Sequence, residues 1–153
     1  MPDYIKKAKE HSNNLLEKLG FQAEAIVVEK DGIVYINVQV DDPGLLIGKG
    51  GEGLEALEHI LRLLLNAETE DRRNVVLDIA GYRNKKSENV KKFARDKAFM
   101  VLSTGIEEVM PAMSSYERRI IHLTCANIAD IETESVGEGR ERRVVIKPKK
   151  TTK

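Results

Sequence analysis

The chain has 153 residues, of which 41% are apolar and 33% are charged, a balance typical of globular domains rather than of disordered chains. This length suits one ordinary domain or two small ones. No apolar run approaches the roughly 18 residues of a membrane-spanning helix, and no apolar segment typical of a secretory signal follows the first residues. Cys125 is the one cysteine, which excludes an internal disulfide and a multi-cysteine zinc site and predicts a cytoplasmic location.

The net charge of zero conceals an uneven distribution of charge along the chain. Residues 1–81 carry 9 Lys and Arg against 15 Asp and Glu, a net charge of −6. Residues 82–153 carry 16 against 10, a net charge of +6. Opposite charges in the two halves indicate two units with different roles, and the basic half is the better candidate for contact with phosphates.

The hydrophobic pattern of the first half predicts the order helix, strand, strand, helix, strand. The first helix extends from Asp3 to about Leu19, and the second ends near Leu65. We expect the inner side of the second helix to consist of Leu54, Leu57, Ile60, Leu61, Leu64 and Leu65. The strands are predicted at residues 23–29, 33–40 and 75–79. A domain boundary is expected near residues 81–84, where this pattern ends.

The second half is predicted to begin with a long basic helix at about residues 85–103. Ser114 and Glu117 have the spacing of a capping box, which predicts a second helix from Ser114 to about Ile128. Two short strands, at residues 131–136 and 142–147, complete this half.

A glycine-rich turn, Ile47-Gly48-Lys49-Gly50-Gly51, precedes the second helix. Glycine allows the backbone to approach a phosphate closely, the helix behind it presents free N–H groups, and Lys49 adds a cation. The spacing does not match a P-loop, which disfavours nucleotide hydrolysis, and the βαβ context of a dinucleotide-binding motif is absent. Spacing alone leaves open a purely structural turn and a contact with a nucleic-acid backbone.

Arg118 and His122 are four residues apart, so they lie about 40° apart on one side of a helix, with Arg119 about 60° beyond His122. These three residues form a cationic strip on an otherwise apolar helix. Arginine can bind a phosphate or stack on a base, and histidine can do either more weakly. The alternative is structural: Arg118 pairs with a nearby carboxylate, and His122 is a hydrogen-bonded, half-buried histidine.

Other combinations of reactive residues are poor candidates for chemistry. The three histidines, His11, His59 and His122, fall on different predicted elements without metal-ligand spacing. Cys125 lies among apolar neighbours, which predicts a place in the core rather than a role as a nucleophile. We therefore predict no metal, no cofactor and no catalytic residues, and a nucleic-acid enzyme is disfavoured.

The glycine-rich turn resembles the I-G-x-x-G signature of KH domains, and the order of elements resembles their type II arrangement. The segment 116–122 resembles the signature of the domain family named for an Arg and a His separated by three residues. The succession of these two domains resembles one bacterial family, the SpoIIIJ-associated proteins, also called Jag or KhpB. Its landmarks are matched at residues 44–48, 76–83, 116–122 and 142–148.

The resemblance implies an α+β chain with a type II-like KH domain at residues 1–81, a small Arg-x-x-x-His-type domain at 82–148 and a basic tail at 149–153. It implies binding of single-stranded RNA, or of single-stranded DNA, in post-transcriptional regulation linked to the cell envelope, elongation or division. A small single-KH protein is the implied partner. The implied nucleic-acid contacts are Ile47, Gly48, Lys49, Gly50, Gly51, Arg118, Arg119 and His122.

The alternative function is a protein-interaction scaffold, in which the acidic surface of the KH-like half binds a basic partner. The N-terminal Jag domain that the family often carries is not among the motifs of this sequence. The oligomeric state and the preferred RNA sequence are not predicted.

Overall fold

The computed structural model describes residues 2–150 and separates the chain into two units, Met1–Arg83 and Asn84–Lys153. Each unit combines helices with a three-stranded sheet, so the predicted α+β class is confirmed. Of the basic tail expected at 149–153, only residues 149 and 150 lie within the described range, and both are exposed. Within residues 2–150, no helix has both the length and the apolar character that crossing a bilayer requires.

The first unit contains a three-stranded sheet in the order β1-β2-β3. β1 pairs with β2 in antiparallel fashion, and β2 pairs with β3 in parallel. The hairpin between β1 and β2 turns at Asp31 and Gly32, which both have positive φ angles, as a type I′ hairpin turn requires. The elements of this unit are α1 (Pro2–Lys18), β1 (Ala25–Lys30), β2 (Ile33–Val38), α2 (Gly44–Ile47), a 3₁₀ turn (Lys49–Gly51), α3 (Glu52–Glu68) and β3 (Asn74–Ile79).

The core of the first unit lies between one face of its sheet and the helices α1 and α3. Alternate residues of β2 and β3 point into it, as a strand with one covered face requires. The predicted inner side of α3 was wrong at two positions, because Ile60 and Leu64 are 41% and 39% exposed. Each precedes a buried leucine, Leu61 or Leu65, by one residue, and therefore lies about 100° around the helix from it.

The second unit places its helices against a sheet in the order β4-β6-β5, with both strand pairs antiparallel. Its core includes Ala94, Ala98 and Val101 of the long helix and Ile121 and Cys125 of the following helix. The two-residue strand β4 was not predicted, because a pair of residues is too short to show alternation. The elements are α4 (Tyr82–Thr104), β4 (Glu108–Val109), α5 (Ser115–Ala126), β5 (Ile131–Val136), a 3₁₀ turn (Gly139–Glu141) and β6 (Arg143–Pro148).

The predicted capping box at the start of α5 is confirmed. The backbone N–H of Glu117 donates to Ser114 Oγ at 3.3 Å, and the backbone N–H of Ser114 donates to the Glu117 carboxylate at 2.9 Å. These two bonds satisfy donors that a helix start would otherwise leave unpaired. They define the first turn of the helix that carries Arg118 and His122.

Candidate nucleic-acid interface

The glycine-rich turn of the first unit adopts a backbone that favours glycine at three positions. Gly48, Gly50 and Gly51 have φ angles of +69°, +62° and +86°, a region that residues with a Cβ atom rarely adopt. Gly48, Lys49 and Gly50 are exposed, whereas Ile47 and Gly51 are buried. The part of the turn that a ligand can reach is therefore its tip, from Gly48 to Gly50.

Gly53 is a further glycine on which the turn depends, and it was not among the predicted site residues. A Cβ atom at Gly53 would lie 2.4 Å from the carbonyl oxygen of Leu46 and 2.9 Å from that of Ile47. A Cβ atom at Gly48 would in turn lie 3.0 Å from the nitrogen of Gly53. The start of α3 thus packs directly against the backbone of α2. In the sequence, the one indication of a role for Gly53 was the G-x-G-x-x-G letter string from Gly48 to Gly53.

The second candidate surface lies where α5 packs against β5. Arg118 donates a hydrogen bond from its guanidinium to Ser135 Oγ at 3.3 Å, and His122 Nδ1 lies 2.6 Å from Thr133 Oγ1. Thr133 and Ser135 are two residues apart on β5, so both hydroxyls point to the same face of the strand. Helix spacing and strand spacing together therefore hold the Arg118 and His122 side chains side by side.

The alternative that Arg118 and His122 have purely structural roles agrees with the structure only for His122. The hydrogen-bond partner of Arg118 is the neutral hydroxyl of Ser135 and not a carboxylate, so its charge is not cancelled by that partner. Within the described residues, Arg118 Nε is buried without a hydrogen-bond partner. His122, in contrast, is the half-buried, hydrogen-bonded histidine that this alternative expected.

Arg142 is a second arginine whose charge acts on His122, and no sequence pattern had indicated it as a site residue. Burial lowers the pKa of His122, and the charges of Arg118 and Arg142 lower this pKa further. Arg142 is held by a hydrogen bond from its guanidinium to the carbonyl oxygen of Gly137 at 2.8 Å. We call Arg118, His122 and Arg142 the basic cluster. Arg119 is exposed and lies about 100° around α5 from Arg118.

Cys125 is buried on α5, and burial raises the pKa of its thiol, so its predicted place in the core is confirmed. Among residues 2–150, no group of His, Cys, Asp and Glu side chains could hold a metal ion.

The pKa of His122 makes a prediction for the free protein. We expect the imidazole to titrate below the ordinary histidine value of about 6.5, because burial and two guanidinium groups oppose its charge. The neutral form is then favoured in the folded state. The free energy of unfolding therefore keeps its full value above the ordinary pKa. It decreases as the pH falls from that value through the lowered pKa, because the unfolded chain binds the proton more readily. NMR titration checks this, with the signal assigned from a His122→Gln variant, and a midpoint at or above the ordinary value would contradict it.

Comparisons with known proteins support a family assignment. Residues 88–148, which contain the basic cluster, match the family model of the R-x-x-x-H domain, the domain named for an Arg and a His separated by three residues. The chain is 35% identical over 150 residues to the RNA-binding protein KhpB of Bacillus subtilis (strain 168), which covers 97% of this chain and 72% of that protein. It is 35% identical over 122 residues to the RNA-binding protein KhpB of Clostridium symbiosum, which covers 80% of this chain and 55% of that protein.

A third relative, the RNA-binding protein KhpB of Lactiplantibacillus plantarum, is 32% identical over 132 residues, which are 86% of this chain and 41% of that protein. The chain thus spans between two fifths and three quarters of the length of these relatives. The similarity to the Bacillus subtilis protein extends across both units, from the glycine-rich turn to the basic cluster. With nearly the whole chain matched at 35% identity and an Arg-x-x-x-His domain at residues 88–148, this chain belongs to the KhpB family.

Proposed function

We propose that this chain binds RNA, and that its Arg-x-x-x-His domain contacts single-stranded RNA through the basic cluster. The observation that carries the proposal is the Arg118 guanidinium held beside a hydrogen-bonded imidazole, with Arg118 paired to a hydroxyl and not to a carboxylate. The charge of Arg142 also acts on that imidazole. Such a group can bind a phosphate and leave the imidazole face for a base. The names of the three relatives as RNA-binding proteins support the same function.

We further propose that the first unit is a type II-like KH domain, with Lys49 and the glycines around it facing the RNA backbone. The element order and the parallel pairing of β2 with β3 support this proposal, as does the exposed tip from Gly48 to Gly50. The local charge is unfavourable, because the acidic residues Asp41, Asp42, Glu52 and Glu55 are all exposed near the turn in the sequence. The KH unit is therefore the weaker of the two contacts.

The remaining features of the proposed function depend on family membership. They are a cytoplasmic location, a role without catalysis in post-transcriptional regulation, a link to the cell envelope, elongation or division, and a small single-KH protein as partner. The scaffold alternative is less favoured, since the matched relatives are named for RNA binding and the basic cluster offers charge to an anion.

Fluorescence anisotropy with the full chain tests the proposal. We expect a labelled single-stranded RNA to bind more tightly than the corresponding duplex. We also expect the affinity to fall steeply as the salt concentration is raised from about 50 to about 200 mM, because bound phosphates release counterions. The absence of binding at low salt, together with tight binding to a basic protein, would favour the scaffold instead.

The glycine-rich turn makes a separate prediction. The double substitution Lys49→Asp and Gly50→Asp places two anions at the exposed tip, where a Cβ at Gly50 would meet no atom within 4 Å. We expect photocrosslinking of RNA to the turn to fall several-fold, with a folding cost of about 1–2 kcal/mol from the positive φ at Gly50. Lys49→Asp with Gly50 retained is the control for that folding cost. Unchanged crosslinking in the double variant would show that the glycine-rich turn is a structural bend that does not contact RNA.

A further inference from the structure

An open groove lies between α4 and α5 of the second unit, on the flank of α5 away from the basic cluster. Its volume is about 430 Å³, and its floor is apolar, formed by Ile120, Leu123 and Ile128. Ile120 is only 8% exposed, but Leu123 is 59% exposed and presents its side chain at the surface. The groove is therefore a preformed apolar depression of the size of a small-molecule site.

The rim of the groove is cationic. Lys91 and Arg95 line it from α4, where they are one helical turn apart, and no carboxylate is among its lining residues. Lys91 forms an ion pair with Glu88 at 3.2 Å, but both side chains are exposed. Exposed ion pairs contribute little to stability, so a ligand can compete with Glu88 for Lys91. A ligand that suits this arrangement has a flat apolar part and a negative charge beside it.

Two polar side chains in the groove can recognise the edge of such a ligand. Thr124 lines the groove from α5, and Asn127 lines it from the C-terminal end of that helix. The Asn127 amide donates weakly to the carbonyl oxygen of Leu123 at 3.5 Å, and its Oδ1 remains an acceptor. A carboxamide matches the donors and acceptors of a nucleobase edge, and single-stranded RNA offers such edges because its bases are unstacked.

The groove and the basic cluster are connected across the exposed side of α5. Arg119 is exposed between them, about 100° around the helix from Arg118 and about 40° from Leu123. A single RNA strand that leaves the basic cluster can therefore pass Arg119 and reach Leu123 within one helical turn. A duplex cannot place a base in the groove while its bases remain paired and stacked.

We propose that this groove is a base-binding subsite: it receives one unstacked base of the bound RNA, while Lys91, Arg95 and Arg119 contact the adjoining phosphates. The subsite rests on the proposed binding of single-stranded RNA by the second unit, and it extends that contact beyond the Arg-x-x-x-His pair. Ile120 and Leu123 supply the apolar surface, and Asn127 reads the edge of the base.

The test compares the affinity of the full chain for a short single-stranded RNA with its affinity for an abasic strand that has the same phosphates. Leu123→Asp adds a charge to the floor, and Asn127→Ala removes the edge contact without a change of charge. Ile106→Asp is the matched control, because Ile106 is 67% exposed, belongs to the same unit and does not line the groove. Thermal unfolding of each variant verifies the fold, and Asn127→Ala carries the test if Leu123→Asp unfolds.

We expect the wild-type chain to prefer the normal strand over the abasic one, and Leu123→Asp to reduce that preference by about fivefold or more, the effect of one stacked base. Asn127→Ala should reduce it in the same direction with an unchanged salt slope, and Ile106→Asp should leave it unchanged. An unchanged preference in both groove variants, while Arg118→Ala still weakens binding, would overturn the subsite and leave the proposed function intact. Binding of an acidic peptide that depends on Leu123 while RNA binding does not would also overturn it. If neither strand binds the wild-type chain, both proposals fail.

Discussion

Replacing Arg118 by Ala is expected to weaken the binding of single-stranded RNA about tenfold across many sequences and to reduce the salt slope by about one, the effect of one lost phosphate contact. Arg118 is held beside His122 by the hydroxyl of Ser135, so its charge is available to an anion. His122→Ala should weaken binding with little change in the salt slope, because the pKa of His122 is lowered and the imidazole is neutral near pH 7. Anisotropy titrations at several salt concentrations measure both effects.

Lys150→Ala is the charge-matched control for Arg118→Ala, since Lys150 is exposed near the end of the described chain, outside the basic cluster. The loss of the hydrogen bond to Ser135 should itself cost about 1 kcal/mol of stability. A loss of more than about 2 kcal/mol with unaltered affinity of the folded protein would identify a buried structural network and end the functional interpretation of Arg118.

Gly53→Ala should cause a larger loss of stability than alanine at any glycine of the glycine-rich turn that precedes it. The new Cβ atom would lie 2.4 Å from the carbonyl oxygen of Leu46 and 2.9 Å from that of Ile47. Because both oxygens belong to the backbone, neither can rotate away as a side chain could, so the turn must distort. We expect a loss of about 3 kcal/mol in the free energy of unfolding, the upper range for overpacking. Urea denaturation of the full chain, followed by circular dichroism, measures the loss.

Two neighbouring glycines are controls for Gly53→Ala. At Gly44 the nearest atom to a new Cβ is Asp42 Oδ1 at 3.7 Å, an ordinary contact, so Gly44→Ala should be nearly neutral. At Gly50 there is space, but the φ angle of +62° should cost about 1–2 kcal/mol. Equal stabilities of Gly53→Ala and Gly44→Ala would show that the start of α3 can move away from α2 at no cost.

The order of the long elements could be predicted from the sequence because each has a local cause. The alternation of apolar residues defines β2, and the Ser114–Glu117 capping box defines the start of α5. The exposed sides of Ile60 and Leu64 could not be predicted, since periodicity alone does not tell which part of a wide apolar stripe meets the sheet.

The candidate site was predictable only as far as residues close in sequence define it. Arg118 and His122 are one helical turn apart, so their juxtaposition follows from helix geometry. The effect of Arg142 on His122 arises from tertiary structure, because the two residues are far apart in the sequence and β6, which follows Arg142, contacts α5. The clash at Gly53 depends on how closely two helices pack, which no local pattern encodes. The binding roles of the turn and the basic cluster remain predictions.

The capping box also controls how long the Arg118 side of the cluster remains ordered. Helix ends fray first, and the Arg118 backbone N–H donates to the Ser114 carbonyl oxygen at 3.0 Å, within the first turn of α5. His122 lies one turn deeper and is tied to Thr133. Fraying of that turn therefore leaves Arg118 with only its side-chain bond to Ser135, while His122 keeps both its helical turn and its bond to Thr133. The equilibrium between the capped and the frayed turn therefore sets the fraction of time in which both groups are held side by side.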